Sequence, residues 1–204
     1  MHRTRPSTSI HDAGGFTLVE ILVALFVMGI AVGAIYGIFT ASNKSYHTQD
    51  RVAEAQQGVR VGTDFMVRDI RMAGLDPLNT AGAGIEEATA TKIRFTSDID
   101  MNGTIDNPQN EEKTTYEYDS ANSRLRRCLY EGTAGVSWQT LIDNVSVLSL
   151  GYLDANGNTI AVPVAATDLG NIKTVVILMT CDGTDTQGQT FSRTINTRVI
   201  CRNQ

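Results

Sequence analysis

The chain has 204 residues, 17 basic and 22 acidic, for a net charge of −5. That balance argues against a general grip on nucleic acid through phosphate neutralisation, although a local basic patch stays possible. Once a long apolar segment near the N-terminus is set aside, the length leaves one small globular domain with a modest core.

Met1–Gly15 is a short polar leader that carries Arg3 and Arg5 and ends in glycine. From Phe16 to Phe39 the only side chain charged at neutral pH is Glu20. About 20 apolar residues at 1.5 Å rise span a bilayer core, so this run is long enough to cross one. A carboxylate inside such a span costs at least ~2.5 kcal/mol and marks a functional site by default. Arg3 and Arg5 ahead of the span predict an N-terminus in the cytoplasm and a chain that lies outside after the span.

Gly15-Phe16-Thr17-Leu18-Val19-Glu20, heading an apolar helix, resembles the N-terminus of type IV prepilins. The resemblance implies that prepilin peptidase cuts between Gly15 and Phe16 and methylates the new Phe16 amine. It also implies that the span is kept, first as an inner-membrane anchor in contact with lipid and later as a packing helix in a pilus. Glu20 would then neutralise the terminal amine of a neighbouring subunit, since a buried carboxylate persists only when paired. An ordinary signal peptide cleaved after Ala31-Val32-Gly33, or a plain single-pass anchor, explains neither Glu20 nor the glycine before the apolar run.

Beyond Phe39 the helix continues and changes character. Val52, Ala55, Val59, Gly62, Met66, Ile70 and Ala73 recur at three- and four-residue steps, with Arg51, Glu54, Arg60, Asp64, Arg68 and Arg71 between them. That is one apolar stripe on a soluble helix. Gly74 and Asp76-Pro77 end it. Gly29, Gly33 and Gly37 permit either close helix contact or local unwinding. The organisation predicted is a cleaved leader over 1–15, a transmembrane or filament-core half-helix over 16–39, an amphipathic half over 40–74, and an extracytoplasmic β-rich domain over 75–204.

After Pro77 the pattern predicts strands at Thr91–Thr96, Thr114–Asp119, Arg124–Tyr130, Asn144–Asp154, Asn158–Val164, Ile172–Cys181 and Thr190–Cys201. Val145, Val147, Leu148, Leu150, Tyr152, Val175, Ile177 and Met179 would form the buried face. The fold class expected is α+β and pilin-like: one long N-terminal helix, transmembrane then amphipathic, packed on an antiparallel β-sheet domain.

Arg60 to Pro77, Thr115-Tyr116-Glu117-Tyr118, Ile142 through Asp154 and Ile172–Leu178 are similar to the corresponding segments of PilW-type minor pilins. The J pseudopilin of type II secretion shares several of them. The resemblance implies a minor subunit that primes type IV pilus assembly with other minor and major pilins on the inner-membrane assembly platform. Its fibre would serve adhesion, motility or DNA uptake at the cell surface, with no direct nucleic-acid contact. A membrane-anchored calcium-binding adhesin that never polymerises is the reading from another class.

Asp98, Asp100, Asn102, Thr104 and Asp106, with Gly103 at the sharp turn, fall at the spacing of a calcium-binding loop. Gln109 stands where the bidentate glutamate belongs, so Glu111 or Glu112 would have to reach in. The competing reading is a solvated acidic hairpin loop.

Cys128, Cys181 and Cys201 face an oxidising compartment under this topology. A hairpin would hold Cys181 and Cys201 some 30 Å apart, so Cys128 would pair with one of the two, Cys181 slightly ahead of Cys201, in preference to three buried thiols. Catalysis has little support, because no nucleophile motif, phosphate loop or zinc-spaced cluster occurs. His47 reads as a solvated helix residue, and Trp138 as a core or strand-edge residue more than an exposed recognition residue.

Overall fold

A computed structural model describes residues 15–105, 111–133, 136–184, 188 and 190–203. The chain divides into two compact units, Met1–Tyr46 and His47–Gln204. One helix, α1 (Leu18–Met72), has residues in both.

In the first unit the large apolar side chains from Phe16 to Phe39 are all exposed, and the helix there is long and apolar enough to cross a membrane. Such a surface is stable only when lipid or other protein covers it.

In the second unit α1 turns one stripe inward. Val59, Gly62, Met66, Ile70 and Ala73 are buried, while Arg60, Asp64, Arg68 and Arg71 are exposed, as the three- and four-residue spacing requires. Val52 is half-buried, and His47 is exposed. The helix stops where glycine permits a left-handed turn. Gly74 has φ +77 and donates its amide to the Thr96 carbonyl at 2.9 Å, which ties the helix end to the sheet below.

Among the described residues nine strands form two antiparallel sheets. The first holds β1 (Ile85–Ala88), β2 (Lys92–Thr96), β3 (Lys113–Asp119), β4 (Arg124–Leu129) and β5 (Gln139–Ile142) in that order. The second has β6 (Val145–Leu153), β7 (Thr159–Ile160), β8 (Thr174–Thr184) and β9 (Thr190–Ile200), ordered β7-β6-β8-β9. The chain passes between them at Asp143-Asn144, where Asn144 takes φ +58, a conformation its short polar side chain tolerates.

A single core joins α1 to both sheets. Met66 and Ile70 cluster with Ile93, Phe95, Tyr116 and Leu125 of the first sheet, and with Leu150, Tyr152, Val175 and Ile177 of the second. Two tyrosine hydroxyls stitch the sheets together. Tyr152 donates to the Thr89 carbonyl at 2.8 Å, and Tyr118 to the Val145 and Ser146 carbonyls at 3.1 and 3.0 Å.

The helix-on-antiparallel-sheet fold class holds, with corrections inside it. β1 and β5 were not expected, and the strand expected over Asn158–Val164 shrinks to the two residues of β7. Val147 does not join the buried face and is 42% exposed. A bulge between Val145 and Val147 adds a residue on β6, so the in-out alternation changes phase and Leu148, Leu150 and Tyr152 turn inward instead.

Candidate functional site

The N-terminal motif builds a local structure of its own. Thr17 precedes the first helical residue, and Glu20 lies three further on. The Thr17 amide and hydroxyl donate to Glu20 Oε2 at 2.8 and 2.9 Å, and the Glu20 amide donates back to Thr17 Oγ1 at 3.3 Å. This is a capping box, which satisfies amides that a helix start leaves without partners and places a carboxylate at the positive end of the helix dipole. Sequence reasoning singled out Glu20 and missed Thr17's part in holding it, although Thr-x-x-Glu before an apolar run is the readable signal. Gly15 and Phe16 lie just ahead of the helix and are exposed.

The acidic loop joins β2 to β3. Asp98 is fully buried, and both its oxygens accept backbone amides: Asn102 at 3.1 Å and Gly103 at 2.9 Å. Gly103 has φ +86, which glycine adopts without strain, and its carbonyl accepts the Thr80 hydroxyl at 3.1 Å. Asp100 accepts the Asn102 amide at 3.1 Å, while the Asn102 side-chain oxygen accepts the Thr104 amide and hydroxyl at 2.8 and 2.7 Å.

The residue that reaches in is Glu112. Asp98, Asp100 and Glu112 can each offer a carboxylate oxygen, all within 4.8 Å of one another, with Asp98 and Glu112 buried and Asp100 exposed. Tyr130 donates to Glu112 Oε2 at 3.2 Å. Glu111 turns the other way, onto Arg127 at 2.9 Å. Asp106 lies outside the described residues. Of the five loop residues expected, Asp98 and Asp100 converge with Glu112, whereas Asn102 and Thr104 bond to each other across the turn. The flanking elements are strands, so this is no helix-loop-helix hand.

Glu111 opens a polar chain that sequence reasoning did not foresee. Arg127 on β4 bridges Glu111 at 2.9 Å and Asp69 of α1 at 3.1 Å, and the Tyr116 hydroxyl donates to the same Asp69 carboxylate at 2.6 Å. Burial and the Asp69 charge together push the Tyr116 hydroxyl well above the usual tyrosine range, so it stays a neutral donor. Trp138 sits half-buried just before β5 with the Arg126 guanidinium 4.8 Å over its ring, an edge position as expected.

The disulfide expectation is corrected. Cys128, Cys181 and Cys201 are all free and buried. Cys128 lies on β4 of the first sheet and Cys181 on β8 of the second, so the favoured pair belongs to different sheets. Cys181 pairs in register with Arg193, and the Cys201 amide bonds the Lys173 carbonyl, so the hairpin does separate those two. Burial pushes the Cys181 and Cys201 thiols up to about 11 and raises that of Cys128.

The family model described as "Prokaryotic N-terminal methylation motif" matches residues 10–36. The chain thus carries that motif, and the match takes in Gly15, Phe16 and Glu20. No curated protein matches the chain. Similar solved structures include a type IV-like pilin from Thermus thermophilus, 10% identical, covering 72% of this chain and 97% of its own, with a TM-score of 0.47.

Proposed function

We propose that the chain is a type IV pilin-like subunit, and within that class a PilW-like minor pilin that takes part in priming pilus assembly. The observation that carries this reading is the methylation motif over residues 10–36, with Glu20 inside an apolar helix that none of the described residues covers. Prepilin peptidase cuts after Gly15 and methylates the Phe16 amine. The helix is held in the inner membrane with its N-terminus cytoplasmic, then joins other minor and major pilins as Glu20 neutralises a neighbour's terminal amine. The chemistry is assembly, not catalysis.

N-terminal sequencing of the chain from its native membrane tests the processing step. A mature chain starting at N-methylated Phe16 is expected, and one starting at Ala34 overturns it. Deletion of the gene separates the finer readings: loss of pili supports the minor pilin, and loss of secretion supports a J-like pseudopilin.

Calcium is the ligand we assign to the loop at Asp98, Asp100 and Glu112. Two buried carboxylates and a third within 4.8 Å repel one another in a site that burial makes less polar, and a hard divalent cation offsets that cost. Calorimetric titration of the full chain in detergent with calcium is expected to give heat that Asp98→Asn abolishes. No heat and an unchanged melting temperature dismiss the site.

A further inference from the structure

β9 is an edge strand of eleven residues, paired with β8 on one side and with no described strand on the other, whereas the other edges, β1, β5 and β7, have four, four and two. An open edge of that length presents a row of backbone donors and acceptors for another strand to use. Beside it α1 and β9 diverge into a groove of about 840 Å³, with Val59, Val61 and Ile195 among its apolar walls and Arg60 and Arg193 among its polar ones. A second groove adjoins it through the shared residue Asp64 and carries Arg68, Arg71 and Arg202.

The charge on this side runs against the charge of the protein. In a chain of net −5, the two grooves hold Arg60, Arg68, Arg71, Arg193 and Arg202, all exposed, against Asp64. Among the described residues, Arg60, Arg71, Arg193 and Arg202 form no ion pair, and Arg68 meets its neighbour Asp69 at 3.3 Å. β9 itself carries Arg193 and Arg198 and no acidic residue.

We propose that the β9 edge and the groove beside it receive an acidic, extended segment of another polypeptide, added as a fifth strand of the second sheet. Strand addition gives the backbone a hydrogen-bond ladder, and alternate side chains then fall toward the groove, where Arg193 and Ile195 share a face, or toward the opposite face, which carries Arg198. A second copy of β9 is a poor occupant. Pairing two copies would gather four arginines along one seam, with no carboxylate in either strand to offset them. Nucleic acid has no use for the backbone ladder, and neither groove is lined by an aromatic side chain on which bases stack. The inference is independent of N-terminal processing, since the site lies wholly within the His47–Gln204 unit.

The test uses the full chain in detergent micelles with three ten-residue probes: alternating Glu-Val, alternating Lys-Val and alternating Glu-Pro. The Glu-Val peptide is expected to bind, to slow amide exchange across 190–200, and to bind about tenfold more weakly to Arg60→Glu and to Arg193→Glu. Proline keeps the charge but removes the amide donors, so Glu-Pro is expected not to protect the strand. Equal binding of Glu-Pro and Glu-Val overturns strand addition, and equal binding of Lys-Val overturns the charge argument. Protection of β9 by single-stranded DNA but not by Glu-Val assigns the groove to nucleic acid and overturns the proposal, as does self-association that protects the same strand.

Discussion

Thr17 donates its backbone amide and its hydroxyl to one oxygen of Glu20, so the carboxylate that the assembly reading assigns to a neighbour's amine also starts its own helix. Replacing Glu20 by alanine removes both roles at once. Glutamine separates them, because it completes a capping box without the charge. Glu20→Gln is therefore expected to keep wild-type helicity by circular dichroism in micelles and to lose fibre incorporation. Thr17→Val is expected to fray the first turn, at about 1 kcal/mol, while keeping the carboxylate.

Tyr116→Phe removes a neutral donor from the Asp69 carboxylate and leaves Arg127 and Arg68 as its partners. A hydrogen bond to a charged, largely buried group contributes about 2 kcal/mol. The urea midpoint of the variant is expected to fall accordingly with an unchanged slope, whereas an unchanged midpoint assigns the hold on Asp69 to the two arginines.

Gly62 lies on the buried stripe of α1 with the Ile142 side chain against it, and a Cβ there would fall inside that side chain. Overpacking of this kind outweighs the gain in helix propensity, so Gly62→Ala is expected to cost about 1–2 kcal/mol. Adding Ile142→Val removes the outermost colliding carbon. The double variant is expected to recover part of the loss in thermal melting, a non-additivity that identifies the contact.

The three buried thiols should be slow to react and present in full number. Native protein at pH 8 is expected to consume almost no thiol reagent, and three equivalents once denatured, matching the three cysteines of the chain. One equivalent in denaturant would restore a disulfide.

Glu131 is opposed by burial, yet hydrogen bonds from Lys92 at 2.8 Å and Arg94 at 3.2 Å hold its carboxyl below the usual glutamate value of 4.5. A depressed acid stabilises the fold above its unfolded pKa and loses that contribution as pH falls through the folded one. The stability gap between wild type and Glu131→Gln, about 1 kcal/mol at pH 7, is expected to persist down to the ordinary glutamate range and to close below it. A gap that survives at pH 2 would show that the charge is not its source.

The two apolar periods were readable because each encodes its own geometry. The three-and-four spacing of Val59, Gly62, Met66, Ile70 and Ala73 described the buried stripe, and Gly74 its end. β1 was unreadable because three of the four residues in Ile85-Glu86-Glu87-Ala88 are of types depleted in strands. Glu86 and Glu87 are held by Arg94, Lys92 and Lys113, all distant in sequence or on other strands. Val147 was misplaced because a bulge has no compositional mark. At the acidic loop the spacing pointed to the right turn, but choosing Glu112 over Glu111 depended on Arg127 drawing the latter away.

The seam between the sheets relies on uncharged donors. Burial keeps the Tyr152 hydroxyl neutral, and its acceptor is a backbone carbonyl, so neither salt nor acid reaches that bond. The ion pairs of Glu86, Glu87 and Glu131 on the first sheet respond to both. A rise in acidity or ionic strength therefore weakens the ion pairs on the domain's face while its internal joint stays closed.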